Sequence, residues 1–152
     1  MISRSDIDDA VAGYAHSLLQ SVKDIPTPGL LPHEYLKVGD IALGTIKQMR
    51  FDVTSFVKQT RDVIAALIME EWTQDWPRRM VERAPRYYAQ KLLMLGERFF
   101  LTRNEVLLIP NWRWFKPPDY GTAEMAQRLH DVARSFPKVT YHVDQSGRVR
   151  QR

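Results

Sequence analysis

The chain has no cysteine among its 152 residues. Disulfides, thiolate nucleophiles and zinc–cysteine sites are therefore excluded together, and a reducing compartment, the cytoplasm, is the expected location. Apolar runs are short, and none approaches the roughly 18 residues that a membrane-spanning helix needs. No membrane partner is expected. The opening MISRSDIDD is polar and acidic and does not read as a secretory signal. Glycines are scattered; Gly29, Gly39 and Gly44 build no phosphate-cradling loop.

Residues that carry chemistry are equally thin. His16, His33, His130 and His142 have no metal-ligand spacing with one another. None of the seven serines sits in a nucleophile elbow. His130 and Asp131 are adjacent on an expected helix and so diverge. His142 and Asp144 share one face of an expected strand, a pattern more common in surface pairs than in catalytic ones. Glu70, Glu71 and Asp75 form an acidic patch that reads as solvated or paired with Arg78 and Arg79. No catalytic residue, metal or cofactor is assigned, and the expected class is a binding protein rather than an enzyme.

What is present points to one globular domain over residues 1–152. Hydrophobic residues make up 44% and charged residues 26%, which is enough to build a core and ordinary for a folded domain. Charge is divided along the chain. Residues 1–75 hold 7 Lys+Arg against 11 Asp+Glu, a balance of −4; residues 76–152 hold 15 against 7, a balance of +8. A basic half suits a polyanion and an acidic half suits solvent or a protein partner.

The expected fold class is α+β. Ser3 or Ser5 caps a first helix with the apolar stripe Ile7, Val11, Tyr14, Leu18 and Val22, ending near Lys23. The proline-rich stretch 24–32 is a stiff connector. Residues 1–32 are thus a candidate docking arm on a globular body of 33–152. A second helix is expected over about His33 to Met49. The third runs from Val53 to Asp75, capped by Asp52 or Thr54, and is the expected buried centre. Thr122 caps a helix from Ala123 to Phe136, and Pro137 closes it. Val139 to Val143, a Ser146-Gly147 turn and Arg148 to Arg150 predict a C-terminal β-hairpin on a small antiparallel sheet.

The stretch from Pro77 to Ile109 holds the densest arginines. Pro77 starts a short helix and Pro85 a second, with Tyr88, Leu92 and Leu95 on one face and Gly96 as its stop. Arg98 to Leu101 and Glu105 to Ile109 are strand-like about a Thr102-Arg103-Asn104 turn, with Asn104 suited to positive φ. This order of helices and hairpin, over Val53 to Ile109, resembles winged-helix DNA-binding domains in pattern. It covers about a third of the chain, and no family signature carries a functional residue across.

Ten side chains are expected to bind DNA or RNA: Arg78, Arg79, Arg83, Arg86, Gln90, Lys91, Arg103, Trp112, Arg113 and Trp114. Arg86, Gln90 and Lys91 face a groove, and Arg103 at the hairpin tip meets phosphate. Trp112-Arg113-Trp114-Phe115-Lys116 is a basic aromatic strand, suited to stacking unpaired bases. The competing expectation is an interaction subunit or inhibitor within a larger assembly, of phage or plasmid type, or a homo-oligomer. Its four tryptophans, six tyrosines and six phenylalanines would then be interface anchors.

Overall fold

A computed structural model describes residues 2–23, 36–72, 88–106 and 112–152. The fold is α+β: mostly helical, with one two-stranded antiparallel sheet at the C-terminal end. Helix α1 spans Arg4–Lys23, α2 Leu43–Gln59, α3 Arg61–Ala66, α4 Ala89–Arg103 and α5 Ala123–Ser135. Strands β1 (Tyr141–Val143) and β2 (Val149–Gln151) pair with Tyr141 opposite Gln151 and Val143 opposite Val149. Among the described residues no helix is long and apolar enough to cross a membrane.

Helix α1 begins as its sequence requires. The Ser3 hydroxyl accepts from the Asp6 amide at 3.2 Å, and the Asp6 carboxylate accepts from the Ser3 amide at 2.8 Å. This reciprocal box satisfies two amides that a helix start leaves open. The expected stripe is internal: Tyr14 and Leu18 are fully buried, and Val11 and Val22 nearly so.

Helix α4 lies along α1 in the most extensive of the helix–helix contacts. The hydrogen bonds Tyr88 to Asp6 and His16 to Glu97 join residues 82 and 81 positions apart, so the two helices run in the same direction. Two glycines set their spacing. A Cβ built on Gly13 would lie 1.8 Å from the Leu93 carbonyl oxygen, and one on Gly96 would lie 1.8 Å from that of Ala10. Backbone meets backbone there, and a larger residue would wedge the helices apart.

Gly96 therefore does not stop a helix, as its isolated position in the sequence suggests. The expected strand Arg98 to Leu101 is helical, and so is Arg103, the expected hairpin tip. The winged hairpin does not form. The helix ends at Arg103, seven residues after Gly96, where Val106 N–H donates to Leu101 C=O and Glu105 N–H to Thr102 C=O. That paired closure puts Glu105, not Asn104, in the left-handed region at φ 53°. The Asn104 side chain instead accepts from the Val139 amide at 2.9 Å.

Two expected helix boundaries also move. Residues 43–59 form one helix through the supposed break near Met49, preceded by a 3₁₀ turn at Val38–Asp40. Asp52 and Thr54 are mid-helix and cap nothing. The interruption falls at Thr60, whose buried hydroxyl donates to Phe56 C=O at 2.8 Å and bends the chain. Leu67–Glu71 then widens into a π turn, closed by Trp72 N–H on Leu67 C=O. The apolar face survives: Val53, Phe56, Val57, Val63, Ile64, Leu67 and Trp72 are all buried. Met69, within the stretch expected to be the buried centre, is 74% exposed.

The core centres on Phe99, stacked on Phe56 at 4.3 Å with an interplanar angle of 1°. Phe115 lies 6.0 Å from Phe56. Helix α5 covers this cluster with Ala126, Leu129 and Ala133, and Thr122 caps it by accepting from the Met125 amide at 3.2 Å. The β-hairpin is fastened to the start of α2 by Ala42 N–H on Val149 C=O at 2.8 Å and Gln151 N–H on the Thr45 hydroxyl at 3.1 Å. The connector 24–32, Asp75 and the stretch 77–87 lie outside the described residues, as does the expected strand portion 107–109.

Candidate nucleic-acid interface

Phe115 fixes one exposed segment of the chain. Its ring is buried against Phe56 and meets Tyr120 edge-on at 5.0 Å. With that anchor inside, Trp112 and Trp114 are held on the outer side. They meet edge to face at 5.6 Å and 88°. The segment is a bend, not the expected strand, and Trp114 Nε1–H donates to Val106 C=O at 3.1 Å.

Cations dress both rings. The Lys116 ammonium sits 3.8 Å from the Trp112 centroid, and the Arg98 guanidinium 5.1 Å from that of Trp114. Such contacts hold a flexible cation beside an aromatic surface. Trp112 nonetheless stays 42% exposed. Arg113 is exposed and donates to the Gln127 side chain. Together these groups form a ledge that is aromatic at its centre and cationic at its rim.

Behind the ledge, Glu105 pairs with both Arg134 and Lys138. Lys138 above all, and then Arg134, hold its carboxyl below the usual range. His130 lies beside Arg113 and Arg134 in the same shallow notch. Burial first, then Arg113, pushes its imidazole below the ordinary value, so it adds no charge near neutral pH.

The sequence-expected site is only partly assembled. Trp112, Arg113 and Trp114 come together. Lys91 is exposed seven residues before Arg98, hence on the same face of α4 and about 10 Å along it. Gln90 is exposed but turned roughly 100° from Lys91. Arg78, Arg79, Arg83 and Arg86 lie outside the described residues.

Arg103 is not the exposed hairpin tip that the sequence predicts. It is 4% exposed and faces inward. It donates to Asp52 at 2.8 Å, to the Tyr14 hydroxyl at 3.2 Å and to Pro137 C=O at 2.8 Å. The Tyr14 and Tyr141 hydroxyls are 2.7 Å apart. This network ties α1, α2, α4 and β1 together and holds the guanidinium away from a phosphate at the surface. Once residues 98–103 are helical, the residue that would cap a hairpin turns into the core.

Arg98 falls outside the set that the sequence predicts, and Lys116 enters it only as the end of the basic aromatic run. The seven-residue spacing of Lys91 and Arg98 is the sequence signal for Arg98, and it holds only in a continuous helix. The pair His142 and Asp144 is not a catalytic dyad in this geometry. Asp144 accepts from the Ser146 and Arg148 amides and pairs with Arg150, which fastens the hairpin turn. Among the described residues no group of three or more His, Asp or Glu side chains converges as a metal site would require.

No protein-family model, curated protein or solved structure matches this chain.

Proposed function

We propose that this protein is a non-enzymatic nucleic-acid-binding protein that engages unpaired bases at the Trp112–Trp114 ledge. The observation that carries the reading is the exposed Trp112 ring with the Lys116 ammonium 3.8 Å from its centroid. Single-strand binders combine an aromatic platform for the base with cations for the backbone, and Arg98, Arg113 and Lys116 supply those cations here. Groove reading through a wing has no support, since residues 98–103, its expected first strand and tip, are helical and Arg103 is internal.

The test is a titration of the full chain against labelled single-stranded and duplex DNA and RNA at two salt concentrations. Single strands bind more tightly, and affinity falls as salt rises because neutralised phosphates release counterions. Trp112→Ala weakens single-strand binding by about 1–3 kcal/mol. Arg113→Ala lowers the salt slope by about one unit. No binding below about 100 μM at low salt, where the electrostatic attraction is largest, removes the reading.

The reading as an assembly subunit keeps one specific support, the exposed Leu43 and Phe51 on α2. Under that reading nucleic-acid affinity is negligible, and substitutions on α2 rather than on the ledge abolish function.

A further inference from the structure

The solvent face of α2 is independent of the ledge and carries its own pattern. Leu43 is 70% exposed and Phe51 69%. Eight residues of helix separate them, about 12 Å of rise, and they lie on neighbouring stripes of one face. Lys47 and Lys58 fall between those stripes and are both exposed. Single apolar side chains at a surface need no explanation, but two on one face with lysines interleaved form a patch.

Helix α2 itself brings no carboxylate to the patch. Asp52 is the one carboxylate in the α2 sequence, and it points away to Arg103. Residues 1–75 are acidic overall, yet four of their seven basic residues are Lys47, Arg50, Lys58 and Arg61, in α2 and the first position of α3. Of these, Arg50 is engaged by Asp8 at 2.7 Å. The backbone is also approachable: a Cβ built on Gly44, beside Phe51 on the wheel, meets nothing within 4 Å.

We infer that this face docks an acidic amphipathic helix from a protein partner. Two apolar side chains of that helix cover Leu43 and Phe51, and its flanking carboxylates meet Lys47 and Lys58. The helix-on-helix mode fits a face of two anchors at helical spacing. A second copy using the same face would bring lysines against lysines, which like-charge repulsion opposes. An anionic bilayer needs a broad apolar face to insert, whereas the opposite face of α2 is committed to the core through Met49, Val53 and Phe56.

The experiment selects binders to the full chain from a displayed library of helices about 16 residues long, roughly 24 Å. Enriched sequences place Asp or Glu around two apolar residues seven or eight apart. Their affinity drops at least about tenfold with Phe51→Glu and with Lys47→Glu, drops as salt rises, and is unchanged by Trp112→Ala. That last arm separates this face from the ledge. Enriched peptides that are not acidic, or that ignore both α2 substitutions, overturn the inference. So does Phe51-dependent binding to phosphatidylserine vesicles, or Phe51-dependent self-association in sedimentation. Both substituted positions are exposed, and an unchanged thermal melt certifies that each variant is folded.

Discussion

Arg103 concentrates the residue-scale physics of this protein. It is a buried cation whose donors reach Asp52, Tyr14 and Pro137, with Phe99 and Phe136 packed beside its guanidinium at 5.8 and 5.6 Å. Removing one member of a buried ion pair strands the other, at a typical cost of about 3–5 kcal/mol. The Asp52 side chain retains 15% exposure, so Arg103→Met is expected at the low end of that range in denaturant unfolding. Adding Asp52→Asn recovers part of the loss. If the proposed nucleic-acid binding holds, neither variant changes its salt slope, in contrast to a phosphate contact. Ionisation adds a second residue-scale prediction. The Ser146 hydroxyl first, then Arg150 and the Arg148 amide, hold the Asp144 carboxyl below its usual range; Lys138 and Arg134 do the same for Glu105. Lowered folded-state values mean that this stabilisation is complete above the ordinary carboxylate range and is lost as pH falls through and below it. Tyr14 and Tyr141 are raised above the phenol value of 10.0, chiefly by burial. Their contribution is complete below pH 10 and is lost as pH rises beyond it. Melting temperature against pH should show a plateau with falls at both ends, and Glu105→Gln should flatten the acid fall.

At the scale of elements, glycine substitutions distinguish packing from propensity. Gly96→Ala and Gly13→Ala each press a Cβ into a carbonyl of the facing helix, and backbone cannot step aside as a side chain can. Overpacking of this kind costs about 1–3 kcal/mol or more. Gly44→Ala, in the exposed first turn of α2 with open space around it, should stabilise by up to about 1 kcal/mol. Equal effects at positions 96 and 44 would mean that α1 and α4 do not meet through their backbones. This contrast also explains what the sequence could and could not disclose. Ser3, Thr122 and the Ser146-Gly147 turn act within a few residues of themselves, so α1, α5 and the β-hairpin were legible. Gly96 acts on α1, more than eighty residues away in sequence, and locally it resembles a helix stop. Phe99 and Phe100 likewise resemble a strand, though they are the inner face of α4. The helix end that does occur uses Glu105 in a conformation usually filled by glycine or asparagine, so composition gave no sign of it.

At the scale of the whole molecule, a core built from α1, α2, α4 and α5 carries two outward surfaces. Phe115 is the link between core and ledge, because its burial against Phe56 places the two tryptophans that precede it on the outer side. The trio Trp112, Arg113 and Trp114 was legible because it is contiguous in sequence. Its cations were not, since Arg98 reaches Trp114 only when α4 is continuous. The claim that matters most is that an unpaired base meets Trp112. Photocrosslinking of the full chain to a single-stranded oligonucleotide carrying 5-iodouridine tests it directly, because the adduct reports the side chain stacked on the base. The account predicts adducts at Trp112, reduced at high salt and competed poorly by duplex. Adducts confined to the 78–86 arginine stretch, or none at protein concentrations that saturate binding, would contradict it.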